Sequence, residues 1–509
     1  MATISEKLAD ALEALNALQD SGQVAIRSAD LSRTHRERLM KAGFLKEIIK
    51  GWYIPSRPDE RLGESTAWYT SFWGFCAQYL TERFGEDWSL SPEQSLMLHA
   101  GDTTVPRQLL VRALKAGNKN TDFPHNTSLF ESRTTIANGE ALTLKDGLRL
   151  FALEDALITV PEAFFKNNAT EARTVLAIIP DASALLAKLL DGGHTRAAGR
   201  LSGAFRSIGS PKIADEILSA MKAADHDVRE VNPFAQSIKV AHAGRVTSPH
   251  VHRIRLKWDK MRAQVIALMP PAQPLSNDPD IYLKAMDDIY VTDAYHSLSI
   301  EGYRVSPDLI EKVRHGNWNP DDDPQDRALK DTLAARGYWE AFQRVRETVR
   351  TVLQGRDAGE SVEADLSDWY RSLFAPSVAA GILKASHLAG YRNSPVYIRQ
   401  SQHVPMGVEA VRECMPVFFE LLRAEQDANV RVVLGHLIFV FIHPYIDGNG
   451  RMARFLMNVM MAAAGRPWTV IHVNDRDAYM ASLETASVEE NIEPFAAFIT
   501  KTMDRNAGE

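Results

Sequence analysis

Residues 443–454 constrain this chain more than any other stretch: His-Pro-Tyr-Ile-Asp-Gly-Asn-Gly-Arg-Met-Ala-Arg. An apolar run, 437–442, leads in, and a second helical pattern, 455–460, leads out. A tight loop between two buried helices is therefore expected. The first turn of a helix has backbone N–H groups without partners in the chain, so a Gly-Asn-Gly turn opening a helix suits an anion. Gly448 and Gly450 permit positive φ and a close approach to the backbone. Arg451 and Arg454 are three apart and share a face, which fits a polyphosphate better than a single carboxylate. Asp447 offers a hard oxygen for Mg²⁺, an ion commonly held by one carboxylate together with substrate phosphates. His443, at the loop entrance, titrates near neutral pH, as a general base should.

This stretch resembles the signature of the Fic family, His-x-Phe-x-Asp/Glu-Gly-Asn-Gly-Arg-x-x-Arg, with Tyr445 in place of Phe. The resemblance implies a helical bundle at residues 276–509 and transfer of AMP from MgATP to a protein Tyr, Thr or Ser hydroxyl. His443 would be the base and Asp447 the metal ligand. Gly448, Asn449, Gly450, Arg451 and Arg454 would hold the nucleotide phosphates. Upstream, Ser297-Leu298-Ser299-Ile300-Glu301-Gly302 puts Ser297 and Glu301 on one helix face, with Gly302 as the stop. It resembles the family's inhibitory motif, in which the Glu takes the signature's second arginine. Here that is Glu301 against Arg454. Val396, Tyr397 and Ile398 lie in a segment of strand periodicity that resembles the Fic flap, a β-hairpin that holds a target chain. Some relatives with the Glu engaged remove AMP from a modified protein, so the resemblance leaves the reverse reaction as the alternative chemistry.

The first half reads differently. Residues 5–20 carry a leucine stripe, and 32–42 form a second helix ended by Gly43. Residues 44–55 are two short strands joined by a turn, which completes a winged helix-turn-helix pattern. Eight Lys/Arg against three acids between 27 and 57 leave a local balance of +5 in a chain of −7. Arg33, Arg36 and Arg38 are the residues that would meet DNA. Residues 60–250, with this winged helix, resemble antitoxins of abortive-infection type IV toxin–antitoxin systems, on Leu90–Leu96, Val105-Pro106 and Ala198–Arg206. That resemblance implies a mixed α/β domain and a repressor role, the alternative from outside enzymology. A basic helix and a proline-rich linker at 251–275 are expected to separate the halves.

The expected architecture is thus multidomain and mainly α: winged helix 1–58, antitoxin-like α/β 59–250, linker 251–275, Fic bundle with hairpin flap 276–509. The two cysteines, Cys76 and Cys414, lie far apart, which excludes a disulfide scaffold and a cysteine zinc site. No stretch of about eighteen uncharged apolar residues exists, so no membrane span is expected, and residues 1–18 are no secretory signal. A cytoplasmic protein is expected. His403, His436 and His472 are expected to be structural or target contacts rather than metal ligands. No Gly-x-x-x-x-Gly-Lys, His-Glu-x-x-His or Gly-x-Ser-x-Gly occurs.

Overall fold

The structure, a computed structural model, describes residues 3–58, 60, 64–136, 139–234, 248–269, 278–316 and 330–508. The proline-rich stretch at 270–275 lies outside them. The chain gathers into two units that do not follow chain order. One holds 1–253 and 397–404; the other holds 254–396 and 405–509.

The first unit opens with the helix Ile4–Asp20, whose Thr3 and Glu6 exchange side-chain bonds with each other's backbone N–H. The helix Arg33–Lys41 follows, capped by the Ser32 hydroxyl. Three short antiparallel strands accompany them in the order Ile26–Arg27, Trp52–Pro55, Leu45–Ile49. A small core of Leu15, Ile26, Leu39, Leu45 and Tyr53 joins helices to sheet.

A four-stranded mixed sheet comes next, in the order Trp88–Leu90, Gln108–Ala113, Thr127–Arg133, Lys119–Phe123. Its central pair is parallel, with Leu109 opposite Leu129. The helix Thr66–Phe84 supplies Trp68, Phe72, Phe75 and Tyr79 to the core that covers it. Edge-to-face aromatic pairs such as Trp68–Phe123 at 5.2 Å pack this core. Leu142–Lys145 and Leu148–Phe151 pair as a hairpin. The helices from Leu153–Thr159 to Pro211–Ala223 complete the unit.

The second unit is all helical, apart from loops and short 3₁₀ turns, among the described residues. Lys330–Leu353 and Ala358–Ala379 form an antiparallel pair. Ala428–Ile442 and Asn449–Ala463, here the His helix and the Arg helix, run through the middle; the Arg helix is buried from Met452 to Ala462. Pro279–Ile300, the Glu helix, packs against the Arg helix and Lys330–Leu353.

The basic stretch after residue 250 is a helix, Pro249–Leu268, and the division between units falls within it. Its cations are matched by acids. Lys257, 1% exposed, reaches Glu490 at 2.7 Å, and Arg262 reaches Glu425 at 2.7 Å. In the first unit, Arg253 reaches Asp102 at 3.0 Å. Each of these charges is thus met by an acid, with Lys257 and Arg253 buried and Arg262 part-exposed.

The expected hairpin at the flap is not formed. Residues 391–407 contain no strand. Ser401 N–H bonds back to the Ile398 carbonyl, and Gln400 has φ +62°, so the chain turns sharply. The backbone groups that a hairpin needs go elsewhere: Gln400 N–H donates to the Thr66 hydroxyl at 3.3 Å, and the Gln402 carbonyl accepts from Val105 N–H at 3.1 Å. Alternation at 396–399 could not reveal partners three hundred residues away.

Candidate active site

The His helix ends because His443 takes the left-handed conformation, φ +54°, while its N–H still closes the last turn on the Phe439 carbonyl at 3.0 Å. A left-handed non-glycine residue persists only where its surroundings hold it. Two groups hold it here. Arg392, 3% exposed, donates from Nε to the His443 carbonyl at 2.8 Å, and its backbone N–H donates to the Pro444 carbonyl at 2.9 Å. The same guanidinium donates to the Ser394 and Met406 carbonyls. Asn449 holds the other side. Its amide exchanges two hydrogen bonds with the Tyr445 backbone, at 2.9 and 2.8 Å, closing the loop on itself.

Tyr445 is fully buried and stacks on Tyr370, ring centroids 3.9 Å apart and 9° from parallel. The aromatic position thus pins the loop into the core, as a Phe would. Gly448 caps the Arg helix with φ +80°, and a Cβ there would meet Phe374 at 2.8 Å, so glycine is required on both counts.

The His443 side chain is half-buried. Its Nδ1 is 3.2 Å from the Val440 carbonyl. A carbonyl only accepts, so Nδ1 carries the proton and Nε2 keeps the lone pair. Burial, aided by the Arg392 charge and opposed by the Val440 bond, pushes the imidazole down to about 4. It is therefore neutral at physiological pH. Earlier in the same helix, His436 is fully buried, with Nε2 2.7 Å from Tyr479 Oη. His472 stacks on His296 at 4.2 Å.

The two arginines of the Arg helix are differently engaged. Arg451 is 1% exposed, lies over the rings of Tyr303 and Phe374 at 5.2 and 5.1 Å, and keeps a loose 3.6 Å contact with Asp447. Arg454 donates from Nε to the Ser297 hydroxyl at 2.9 Å, and from one Nη to the Ser297 carbonyl at 3.1 Å and Glu301 Oε1 at 2.7 Å. Ser297 and Glu301 therefore meet the arginine from one face of the Glu helix. Gly302, φ +88°, then ends it, and Tyr303 N–H bonds back to Leu298. Burial alone would raise the Glu301 carboxyl; the charges of Arg454 and Arg451 outweigh it and hold it below its ordinary value. A Cβ added at Gly450 would overlap Glu301 Oε1. So a carboxylate oxygen already lies against the first turn of the Arg helix, where an anion belongs. Arg454 Nη1 and Arg451 Nε are buried without hydrogen-bond partners. An incoming anion would meet unsatisfied donors there.

Asp447 stands out from the loop with 63% of its side chain exposed, one oxygen accepting from Gly448 N–H at 2.6 Å. No cluster of three or more His, Cys, Asp or Glu able to hold a metal occurs among the described residues. A lone exposed carboxylate beside an anion site fits Mg²⁺ that arrives with phosphates rather than a resident metal.

Sequence reasoning gathered His443, Asp447, Gly448, Asn449, Gly450, Arg451, Arg454, Ser297 and Glu301, and the fold brings them into one place. Val396, Tyr397 and Ile398 form no strand there. Arg33, Arg36 and Arg38 belong to the first unit. Arg36 donates to the Ser28 carbonyl at 2.6 Å and Arg38 to the Lys7 carbonyl at 3.5 Å, while Arg33, 84% exposed, pairs with Glu37. The residue missed was Arg392. Nothing in the linear pattern marks an arginine that will be buried against carbonyls with no acid beside it. Arg392→Met is expected to lower unfolding free energy by about 2–4 kcal/mol, since bonds from a charged donor contribute roughly 1.5–3 kcal/mol each and water can replace some of them. Urea unfolding of the two proteins measures it.

Comparison with known proteins agrees with this geometry. Residues 363–461 match the Fic/DOC family. The Protein adenylyltransferase Fic of Nematostella vectensis is 34% identical over 254 residues, 49% of this chain and 53% of that protein. That of Drosophila grimshawi is 38% identical over 122 residues, 22% of this chain and 25% of that one. The chain therefore spans about half or less of the length of these curated relatives. The solved structure of Fic-1 (aa134 - 508) from C. elegans matches at 18% identity over 67% of this chain and 94% of that one, with a TM-score of 0.37, too low to add to what the loop shows. The glycine-bounded loop and its two helices thus lie in the part of the chain, residues 363–461, that matches the Fic/DOC family.

Proposed function

We propose that this protein is a nucleotidyltransferase that moves AMP from MgATP to a protein hydroxyl and is held in check by Glu301. One observation carries the reading: a carboxylate of the same chain occupies the anion position at the first turn of the Arg helix, beside a neutral, correctly polarised imidazole. His443 Nε2 takes the proton from the attacking Tyr, Thr or Ser hydroxyl, help worth about 10²–10⁴ in rate. The hydroxyl oxygen bonds to the α-phosphorus, the bond to the bridging oxygen breaks, and pyrophosphate leaves. Gly448, Asn449 and Gly450 present the loop backbone to the phosphates. Arg451 and, once Glu301 withdraws, Arg454 neutralise them. Asp447 is the residue that would hold Mg²⁺, which neutralises phosphate charge when bound. The protein does little covalent work itself, so positioning and electrostatics supply the effect.

Intact mass after incubation with MgATP and a protein acceptor tests the reading. A gain of one AMP supports it; a gain of phosphate, or no gain in either the protein or any acceptor with Glu301 replaced, removes it.

The pH dependence follows from the depressed His443. The base is free above about pH 4, so transfer should be flat from pH 6 to 8 and fall only as pH approaches 4. The stability link has the same sense. The folded value lies below the unfolded one, so the contribution is full above about 6.5 and lost as pH falls through 4. A rate limb centred near 6.5 would contradict it.

A second reading concerns the first unit. Helix Arg33–Lys41 keeps Arg33 and Lys41 exposed, and Lys50 is exposed between two antiparallel strands. This supports DNA contact through the winged-helix pattern, with Arg36 and Arg38 shaping the fold. Binding to the upstream DNA in a gel shift, weakened by salt and by Arg33→Ala, checks it.

A further inference from the structure

The first unit contains a cavity of about 570 Å³ that the transfer chemistry does not use. Its wall combines the start of the helix Thr66–Phe84, the turn between two sheet strands at His125 and Asn126, Arg107, and Gln400 and Gln402 from the segment 397–404. All of these residues belong to that one unit.

The lining is short of partners in a directed way. Ser65 is the N-cap of that helix and only 6% exposed, yet its hydroxyl makes no capping bond and has no hydrogen-bond partner among the described residues. An N-cap serine normally spends its oxygen on the helix's free N–H groups. Here the hydroxyl faces the cavity instead. His125 Nε2 is buried without a hydrogen bond, and its ring stands 5.9 Å from that of Tyr69. Burial, helped by the Lys46 charge, lowers the imidazole, which leaves it neutral and able to bond in either sense. Arg107 is exposed at the wall, and its guanidinium has neither a hydrogen bond nor an ion pair among the described residues. Gln402 Nε2 holds Tyr69 Oη loosely at 3.4 Å.

Among the described residues no carboxylate lines the cavity. Glu64 pairs with Arg399 at 2.6 Å, and Glu60 accepts from Ala67 N–H at 3.1 Å. Lys46 lies close enough to bias His125. Arg107 is the charged side chain of the lining, and the other lining residues are polar. A hydroxyl and a guanidinium without an ion pair suit a phosphate. The volume exceeds what a lone phosphate fills and lies in the range of small-ligand sites. The Asn126, Gln400 and Gln402 amides can bond to the polar edges of a ring or sugar, and the Tyr69 face can take a planar group.

We propose that this cavity binds a phosphorylated small molecule of nucleotide size, with the phosphate between Arg107 and Ser65. The site is separate from the loop at 443–454 and does not depend on the transfer reading.

Hydrogen exchange of the full chain, with AMP as one probe and inorganic phosphate as the other, tests the proposal. AMP should slow exchange at 64–69 and 398–403, and the protection should need at least tenfold more AMP in Arg107→Gln. Arg107 is exposed, so that variant should unfold at the parent's midpoint. Ser65→Ala removes no capping bond and should weaken AMP severalfold; it serves as the second variant. Phosphate alone giving the same protection at 64–69 would identify the phosphate as the recognised part. Protection confined to 443–454, or protection at 398–403 that is unchanged in both variants, would overturn the proposal. Loss of AMP transfer bears on the other site and is read separately, by mass.

Discussion

Glu301→Gly is expected to raise AMP transfer by one to two orders of magnitude. The carboxylate acts twice in the resting protein: it occupies the nearer Nη of Arg454 at 2.7 Å, and it places negative charge against the helix start that should receive phosphate. Removing it frees the cation and removes the repulsion together. Coupling between a site and its inhibitor is typically about 1–3 kcal/mol, or 5–150-fold. The variant should also unfold at a lower temperature, because Arg454, 5% exposed, keeps Ser297 but loses its counter-charge. Breaking a buried pair costs about 3–5 kcal/mol; here Glu301 is 30% exposed, so the loss should fall below that range. MgATP should restore part of the midpoint, since a ligand that binds only the folded state stabilises it. Transfer from α-labelled ATP, followed with and without the substitution, gives the first number. An unchanged rate would mean that Glu301 is an ordinary helix end.

His443→Ala in the Glu301→Gly background should lower transfer by about 10²–10⁴. Nucleotide binding should survive, because the phosphate contacts lie on the Arg helix and not on the imidazole. The pairing of readouts matters. If binding fell with transfer, the substitution would have collapsed the loop that Arg392 and Asn449 hold at the His443–Tyr445 backbone. If neither fell, the base would lie elsewhere.

The loop could be read from the linear chain because its parts are consecutive. Glycines at fixed offsets, an imidazole before them and two guanidinium groups three apart describe one turn and one helix face, and both are local geometry. The same holds for the pairing of Ser297 with Glu301 and for the stop at Gly302. Up to Pro55 the helices and short strands followed from periodicity and caps: Ser32 and Gly43 bound the helix Arg33–Lys41, as their types predict.

What local rules could not supply was the choice of distant partners. Whether the segment after residue 396 forms a hairpin depends on where its backbone groups find bonds, and Thr66 and Val105 take the Gln400 N–H and the Gln402 carbonyl. Whether Arg253, Lys257 and Arg262 make a displayed basic face depends on Asp102, Glu490 and Glu425, each more than a hundred residues away in sequence. Arg392 gained its place at the catalytic loop in the same manner. The sequence by itself determined which chemical groups stand together on one turn. The tertiary structure alone decided which charges are spent on packing and which carbonyls need a buried cation, because desolvation acts on groups brought together in space whatever their separation along the chain.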